Sequence, residues 1–111
     1  MKRWEGDYFK KTVTAGEAIG TIQSGERVVT GHVAGEPHIL MKELVGQKER
    51  LTNIEIVHMV PLYGCEYTEA ENKKHFRHNS LFVGAGTRTA INEGRGEFTP
   101  CFFSEIPRLF R

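Results

Sequence analysis

The sequence predicts an α/β domain with a mainly parallel sheet flanked by helices, and three observations carry that prediction. Helix-like and strand-like segments alternate along the chain, the order that parallel pairing needs. Residues 53–60, Asn-Ile-Glu-Ile-Val-His-Met-Val, are apolar at most positions instead of alternating, which suits a strand covered on both faces. Glycine or proline marks residues 31–37, 59–64 and 84–88, as in the turns at the carboxyl edge of such a sheet.

Residues 1–13 read as an arm that docks by Trp4, Tyr8 and Phe9, and residues 14–111 as the α/β unit. Thr14 and Glu17 form a capping box that opens a helix. Ala15, Ala18, Ile19 and Ile22 give that helix an apolar stripe of about three turns, ended by Ser24 and Gly25. Residues 27–31 form a short strand, and Pro37 stands as the first residue of the next helix. Leu40, Leu44 and Val45 are the apolar stripe of that helix, with Lys42, Glu43, Gln47 and Lys48 elsewhere on it. The strand at 53–60 follows.

Thr68 and Glu71 form a second capping box, and Lys73, Lys74 and Arg77 suit the carboxyl end of the helix it would open. Residues 80–83 are the expected third strand. Thr87 caps a short helix through Ile91, closed by Gly94, and residues 97–103 make a fourth strand. Ser104 caps a helix that has barely begun at Arg111; its apolar end and missing capping glycine suggest a piece of a longer domain.

A chain of 111 residues holds one domain and leaves no room for two. Fifteen basic and fourteen acidic side chains give a net charge of +1, so neither nucleic acid nor an anionic membrane is expected as a partner. No apolar run approaches a membrane span, and no apolar stretch follows the charged start as in a signal peptide. Two cysteines without a CxxC pattern suggest a reduced, cytoplasmic setting. His58, Cys65, His75, His78 and Cys101 share no compact ligand spacing, so no metal site is expected.

Ligands of open α/β sheets bind beyond the carboxyl ends of the strands. The candidate substrate-binding residues are therefore Gly31, His32, Val33, Ala34, Gly35 and Pro37 in the first turn and Met59 in the second. Gly84, Ala85, Gly86, Thr87 and Arg88 supply the third. Residues 84–88 read first as a tight strand-to-helix turn, because they lack the lysine of a P-loop and the third glycine of a dinucleotide fingerprint. Arg88 reads as an exposed helix arginine, with a phosphate or carboxylate clamp as the alternative.

His32 either donates a hydrogen bond to a substrate carboxylate or carbonyl, or satisfies its own loop. His58 reads as a hydrogen-bonded core residue, and His38, His75 and His78 as surface residues. Cys65 and Cys101 read as small buried residues, since nothing nearby marks either as activated. The carboxylates Glu36, Glu66, Glu93, Glu97 and Glu105 are scattered, and spacing selects none as a nucleophile.

A set of short strings in one order carries a resemblance. They are Ser24-Gly25-Glu26-Arg27-Val28, Gly31-His32-Val33-Ala34-Gly35-Glu36-Pro37, Val57-His58-Met59-Val60, Thr87-Arg88 and Glu93-Gly94-Arg95-Gly96. The stretch Phe98-Thr99-Pro100-Cys101-Phe102-Phe103-Ser104-Glu105-Ile106-Pro107 completes the set. From Trp4 to Arg111 the chain resembles the start of the acetyl-CoA hydrolase/transferase family, 4-hydroxybutyrate CoA-transferases above all, together with butyryl-CoA:acetate transferases.

The resemblance implies a CoA-transferase half-domain of the NagB/RpiA-like kind, paired with a similar half at one active site. It implies ping-pong transfer of CoA between short-chain acids such as acetate, butyrate or 4-hydroxybutyrate, through a glutamyl-CoA thioester. The catalytic glutamate of the family belongs to its carboxyl-terminal half, so no catalytic residue is carried over to this chain, which is expected to be inactive alone.

Coenzyme A thioester enters as a substrate, with no permanently bound cofactor. The expected partners are acyl-CoA, a short-chain carboxylate, the missing carboxyl-terminal half and a second copy in a homo-oligomer. His32 is expected to orient substrate as a hydrogen-bond donor. The alternatives are a non-catalytic binding module for a CoA thioester or carboxylate, an acetyl-CoA hydrolase half, and a piece docking by its sheet edge on a separately encoded catalytic half.

Overall fold

The structure, a computed structural model, describes residues 3–111. Four parallel strands stand in chain order: β1 (Arg27–Val29), β2 (Ile54–His58), β3 (Phe76–Ser80) and β4 (Gly96–Phe98). Val28 aligns with Ile56, Ile56 with His78, and His78 with Gly96. The helices are α1 (Arg3–Lys11), α2 (Ala15–Gly20), α3 (His38–Gly46), α4 (Ala85–Asn92) and α5 (Ile106–Leu109).

Strand order and chain order coincide, so crossovers of one hand all fall on one face of the sheet. Their packing agrees. Ile54, Ile56 and Phe76 meet Ile19, Met41, Leu44, Leu51 and Tyr67 in a single core on that face. The opposite face carries Arg27, Glu55, Arg77 and Glu97, joined across the strands. Arg27 Nε donates to Glu55 at 2.5 Å, and Arg77 Nη1 to Glu97 at 2.9 Å. Leu109 and Phe110, from α5 and just beyond it, approach Glu55, Val57 and Asn79 there. All five residues of β2 are buried, as its unbroken apolar run predicts.

The Thr14–Glu17 capping box forms, with the Thr14 hydroxyl accepting Glu17 N–H and the Glu17 carboxylate accepting Thr14 N–H. Its helix is shorter than expected: Gly16 and Gly20 weaken it, and the Thr21 and Ile22 N–H groups turn back to the Ala18 and Ile19 carbonyls. Pro37 is the N-cap of α3 instead of its first residue. α1 has no buried residue, and Trp4, Tyr8 and Phe9 remain exposed; residues 1 and 2 of the expected arm lie outside the described residues.

The helix expected after Thr68 is absent, replaced by short 3-10 turns at Glu66–Thr68 and Ala70–Asn72. The Thr68 hydroxyl donates back to the Cys65 carbonyl instead of capping, and extended Glu69 separates the turns. Buried Asn72 then bonds the Glu66 carbonyl and the Lys48 ammonium. Arg77 consequently belongs to a strand. The third strand lies four residues earlier than expected, because Phe76, His78 and Ser80 bury on the core side while Arg77 and Asn79 face the other way.

Gly84, not Thr87, is the N-cap of α4, and Gly94 closes its exit at φ 72°. β4 is shorter than expected: Thr99 N–H donates to the Ser80 carbonyl at 2.9 Å just past its last residue, and Pro100 follows. Glu105, not Ser104, closes the last turn by accepting the Phe102 N–H at 2.8 Å. His75 and His78 are buried, against the surface positions expected of them. His75 Nδ1 lies 2.7 Å from the Leu51 carbonyl.

Candidate functional site

Parallel pairing brings the segments after β1, β2 and β3 to one edge, and hydrogen bonds lace them together. Thr30 N–H donates to Val57 O at 3.0 Å, Val33 N–H to Val60 O at 2.8 Å, and Leu81 N–H to His58 O at 2.8 Å. The buried Glu36 carboxylate accepts the Leu62 N–H at 2.9 Å and the Tyr63 N–H at 3.4 Å.

Small residues permit the approach. A Cβ on Gly31 would fall on the Gly35 carbonyl, one on Gly86 would stand 2.8 Å from Cys65 Sγ, and one on Gly84 3.3 Å from Val60. Val33 has φ 54°, a conformation that costs a β-branched residue about 1–3 kcal/mol and persists only where its surroundings hold it.

The expected site residues divide accordingly. Gly31, His32, Val33, Ala34, Gly35 and Pro37 share the edge with Met59, Gly84, Ala85 and Gly86. Thr87 is fully buried, its hydroxyl 3.4 Å from Ser80 Oγ, which makes it a packing residue of α4. Arg88 is exposed on α4.

His32 is exposed, with its ring edge-on to Phe103 at 5.8 Å. It borders a cleft of about 130 Å³ with Thr30, Gly31, His58, Met59, Leu81 and Phe110. A shallower hollow of about 560 Å³ opens between Pro37, His38, Leu40 and Tyr63, with Glu36 in its wall. The amino-terminal edge of the sheet carries a separate basic hollow of about 550 Å³ lined by Lys73, Lys74, Arg77 and Arg95.

Two features of this edge escape sequence reasoning. His58 is buried, yet neither ring nitrogen has a hydrogen-bond partner, so the expected hydrogen-bonded core histidine is corrected. Burial first, and the neighbouring His78 second, push its pKa down to about 4, so the imidazole is neutral at neutral pH. His78 is lowered as well, by burial and then by Arg95. Register supplies the only signal for the pair, since both rings face the core from adjacent strands.

The second feature is Glu36, one of several scattered carboxylates until the fold shows it bridging two loops. Cys65 is partly buried, donates to the Tyr63 carbonyl at 3.3 Å, and has its thiol pushed up to about 11 by burial. That is the reverse of an activated nucleophile. Among the described residues, no three His, Cys, Asp or Glu side chains come together to hold a metal ion.

The pattern of the acetyl-CoA hydrolase/transferase N-terminal domain matches residues 1–111. The chain belongs to that family. It is 49% identical over 108 residues to a 4-hydroxybutyrate coenzyme A transferase of Clostridium kluyveri, a match covering 97% of this chain and 25% of the relative. A butyryl-CoA:acetate CoA-transferase of Anaerostipes caccae is 32% identical, over 95% of this chain and 24% of its own length.

Among solved structures, RipA from Yersinia pestis superposes with a TM-score of 0.83 at 24% identity. That match covers 97% of this chain and 28% of RipA, and shows the shared fold. A 4-hydroxybutyrate CoA-transferase from Porphyromonas gingivalis gives 0.59 at 26% identity, covering 98% of this chain and 23% of that one. The chain thus spans about a quarter of the length of the curated relatives it matches.

Proposed function

We propose that this chain is the amino-terminal portion of an acyl-CoA:carboxylate CoA-transferase, acting on short-chain acids such as acetate, butyrate or 4-hydroxybutyrate. The 49% identity to a 4-hydroxybutyrate coenzyme A transferase across nearly the whole chain carries this reading. Coenzyme A thioester is a substrate in it, and the nucleophile is a glutamate of the carboxyl-terminal portion.

That glutamate attacks the acyl-CoA thioester and releases CoA thiolate, leaving an acyl-glutamyl anhydride. The thiolate then attacks the glutamyl carbonyl, which forms glutamyl-CoA and frees the first acid. An acceptor carboxylate reverses both steps and leaves as the new thioester. Residues 31–37, Met59 and the turn at 84–86 form one wall of the acyl pocket, and their backbone amides hold carboxylate or anhydride oxygens. His32 donates a hydrogen bond that orients the acid. The same reading takes the whole protein to be a cytoplasmic homo-oligomer; among the described residues no helix is long and apolar enough to cross a membrane.

The test measures CoA transfer from butyryl-CoA to acetate by two proteins. One is the 111-residue chain; the other is a chimaera in which it replaces the matching quarter of the Clostridium kluyveri relative. The expected result is transfer by the chimaera alone. Transfer by the isolated chain, or none by a folded chimaera, would overturn the proposal.

A further inference from the structure

The geometry points to Glu36 as a positioning residue that holds the acyl-pocket wall in its working shape, an inference that rests on the transferase reading above. Glu36 sits where the 3-10 turn Val33–Gly35 gives way to α3. It is 8% exposed, although it lies at the ligand edge and outside the hydrophobic core. One carboxylate oxygen, Oε2, accepts both the Leu62 and the Tyr63 amide hydrogens, 26 and 27 residues further along the chain.

These two amides belong to the turn after β2, so a single side chain fastens the first ligand-edge loop to the second. Hydrogen bonds to a charged acceptor are about twice as strong as neutral ones, and the acceptor here is itself buried.

What the clamp restrains is a strained turn. Val33 is held at φ 54° between Glu36 on one side and its own N–H bond to Val60 on the other. The close approach of Gly31 to the Gly35 carbonyl tightens the same loop. Without the Glu36 bridge the turn is free to relax toward negative φ, and the amides of residues 31–35 and the ring of His32 move with it. Glu36 is therefore not a second nucleophile. Its bonded oxygen is committed to the protein, and it acts through the loop it restrains.

Two measurements test this. In the 111-residue chain, Glu36→Ala should shift the Leu62 and Tyr63 amide proton resonances upfield. Their hydrogen exchange should quicken about tenfold or more, while the amides of β2 stay put. In the chimaera, the same substitution should lower kcat about 10- to 100-fold with little change in KM, because misplaced groups slow chemistry more than they weaken binding.

Glu36→Gln keeps an acceptor oxygen of the same reach and should restore most of the rate; it also serves if the alanine variant fails to fold. Unmoved Leu62 and Tyr63 amides would overturn the clamp. Unchanged kcat, or a glutamine variant as slow as the alanine variant, would overturn the positioning role. A folded wild-type chimaera without transfer would strike the functional reading instead, and the amide shifts would then decide the clamp alone.

Discussion

The imidazoles of His58 and His78 stack inside the core with centroids 5.8 Å apart and planes within 5° of parallel. Tyr67 closes the group edge-on, 5.9 Å from His58 and 6.3 Å from His78. Both nitrogens of His58 and Nε2 of His78 lack hydrogen-bond partners. A buried polar group in that state carries a desolvation cost, and a proton added to it would carry a larger one.

Acid should therefore weaken the fold through His58. Its pKa falls from 6.5 in the unfolded chain to about 4 in the folded one, so the unfolded state binds more protons between those values. This contribution is fully present above pH 6.5, declines as pH falls toward 4, and changes no further below. The loss is on the order of 3 kcal/mol. Urea unfolding of the wild type and of His58→Phe between pH 7.5 and 4 checks it, and equally steep decline in both would remove His58 as the cause.

Gly96 should tolerate no side chain. A Cβ there would lie inside the His78 ring, so Gly96→Ala forces either strand or ring aside and should cost about 1–3 kcal/mol in thermal or urea unfolding. Gly46→Ala, in α3 with nothing within 4 Å of the added carbon, should instead hold or gain about 0.5–1 kcal/mol.

Cys65 should resist alkylation. With its thiol raised from 9.0 to about 11, the reactive thiolate is about 100-fold scarcer than in an unperturbed cysteine. In a Cys101→Ser background, iodoacetamide at pH 7.5 should label the folded chain about 100-fold more slowly than the urea-unfolded chain. Equal rates would show an open, unperturbed thiol.

His32→Ala in the chimaera should slow CoA transfer about 10- to 100-fold, the range of a lost substrate-orienting donor, without lowering the melting temperature. The ring is exposed beside the cleft and is among the few polar groups there. Unchanged steady-state constants for every acyl pair would remove it from the proposed role.

Legibility followed the range of the forces involved. The run at 53–60 announced a doubly covered strand, and Ile54–His58 is one. The Thr14–Glu17 box is a four-residue device and formed as written. Its counterpart at Thr68 failed because the same hydroxyl found the Cys65 carbonyl and Asn72 found partners outside any helix. Phe-Arg-His-Asn-Ser hardly reads as a central strand, yet its alternation is sound once His78 and Ser80 count as core residues. The meeting of three turns at the carboxyl edge was legible from glycine and proline, whereas the burial of Thr87 against Ser80 was not.

The amino-acid sequence by itself determined the α/β class, a central strand of the sheet, the family and the three turns that meet at its carboxyl edge. Those depend on patterns spanning a few residues or on strings kept in order. Only the tertiary structure decided that His58 and His78 share the core, that Glu55 binds Arg27, and that Glu36 ties two loops together. Each of those partnerships joins residues about twenty or more positions apart, and strand register and loop packing, not local propensity, set which atoms come within reach.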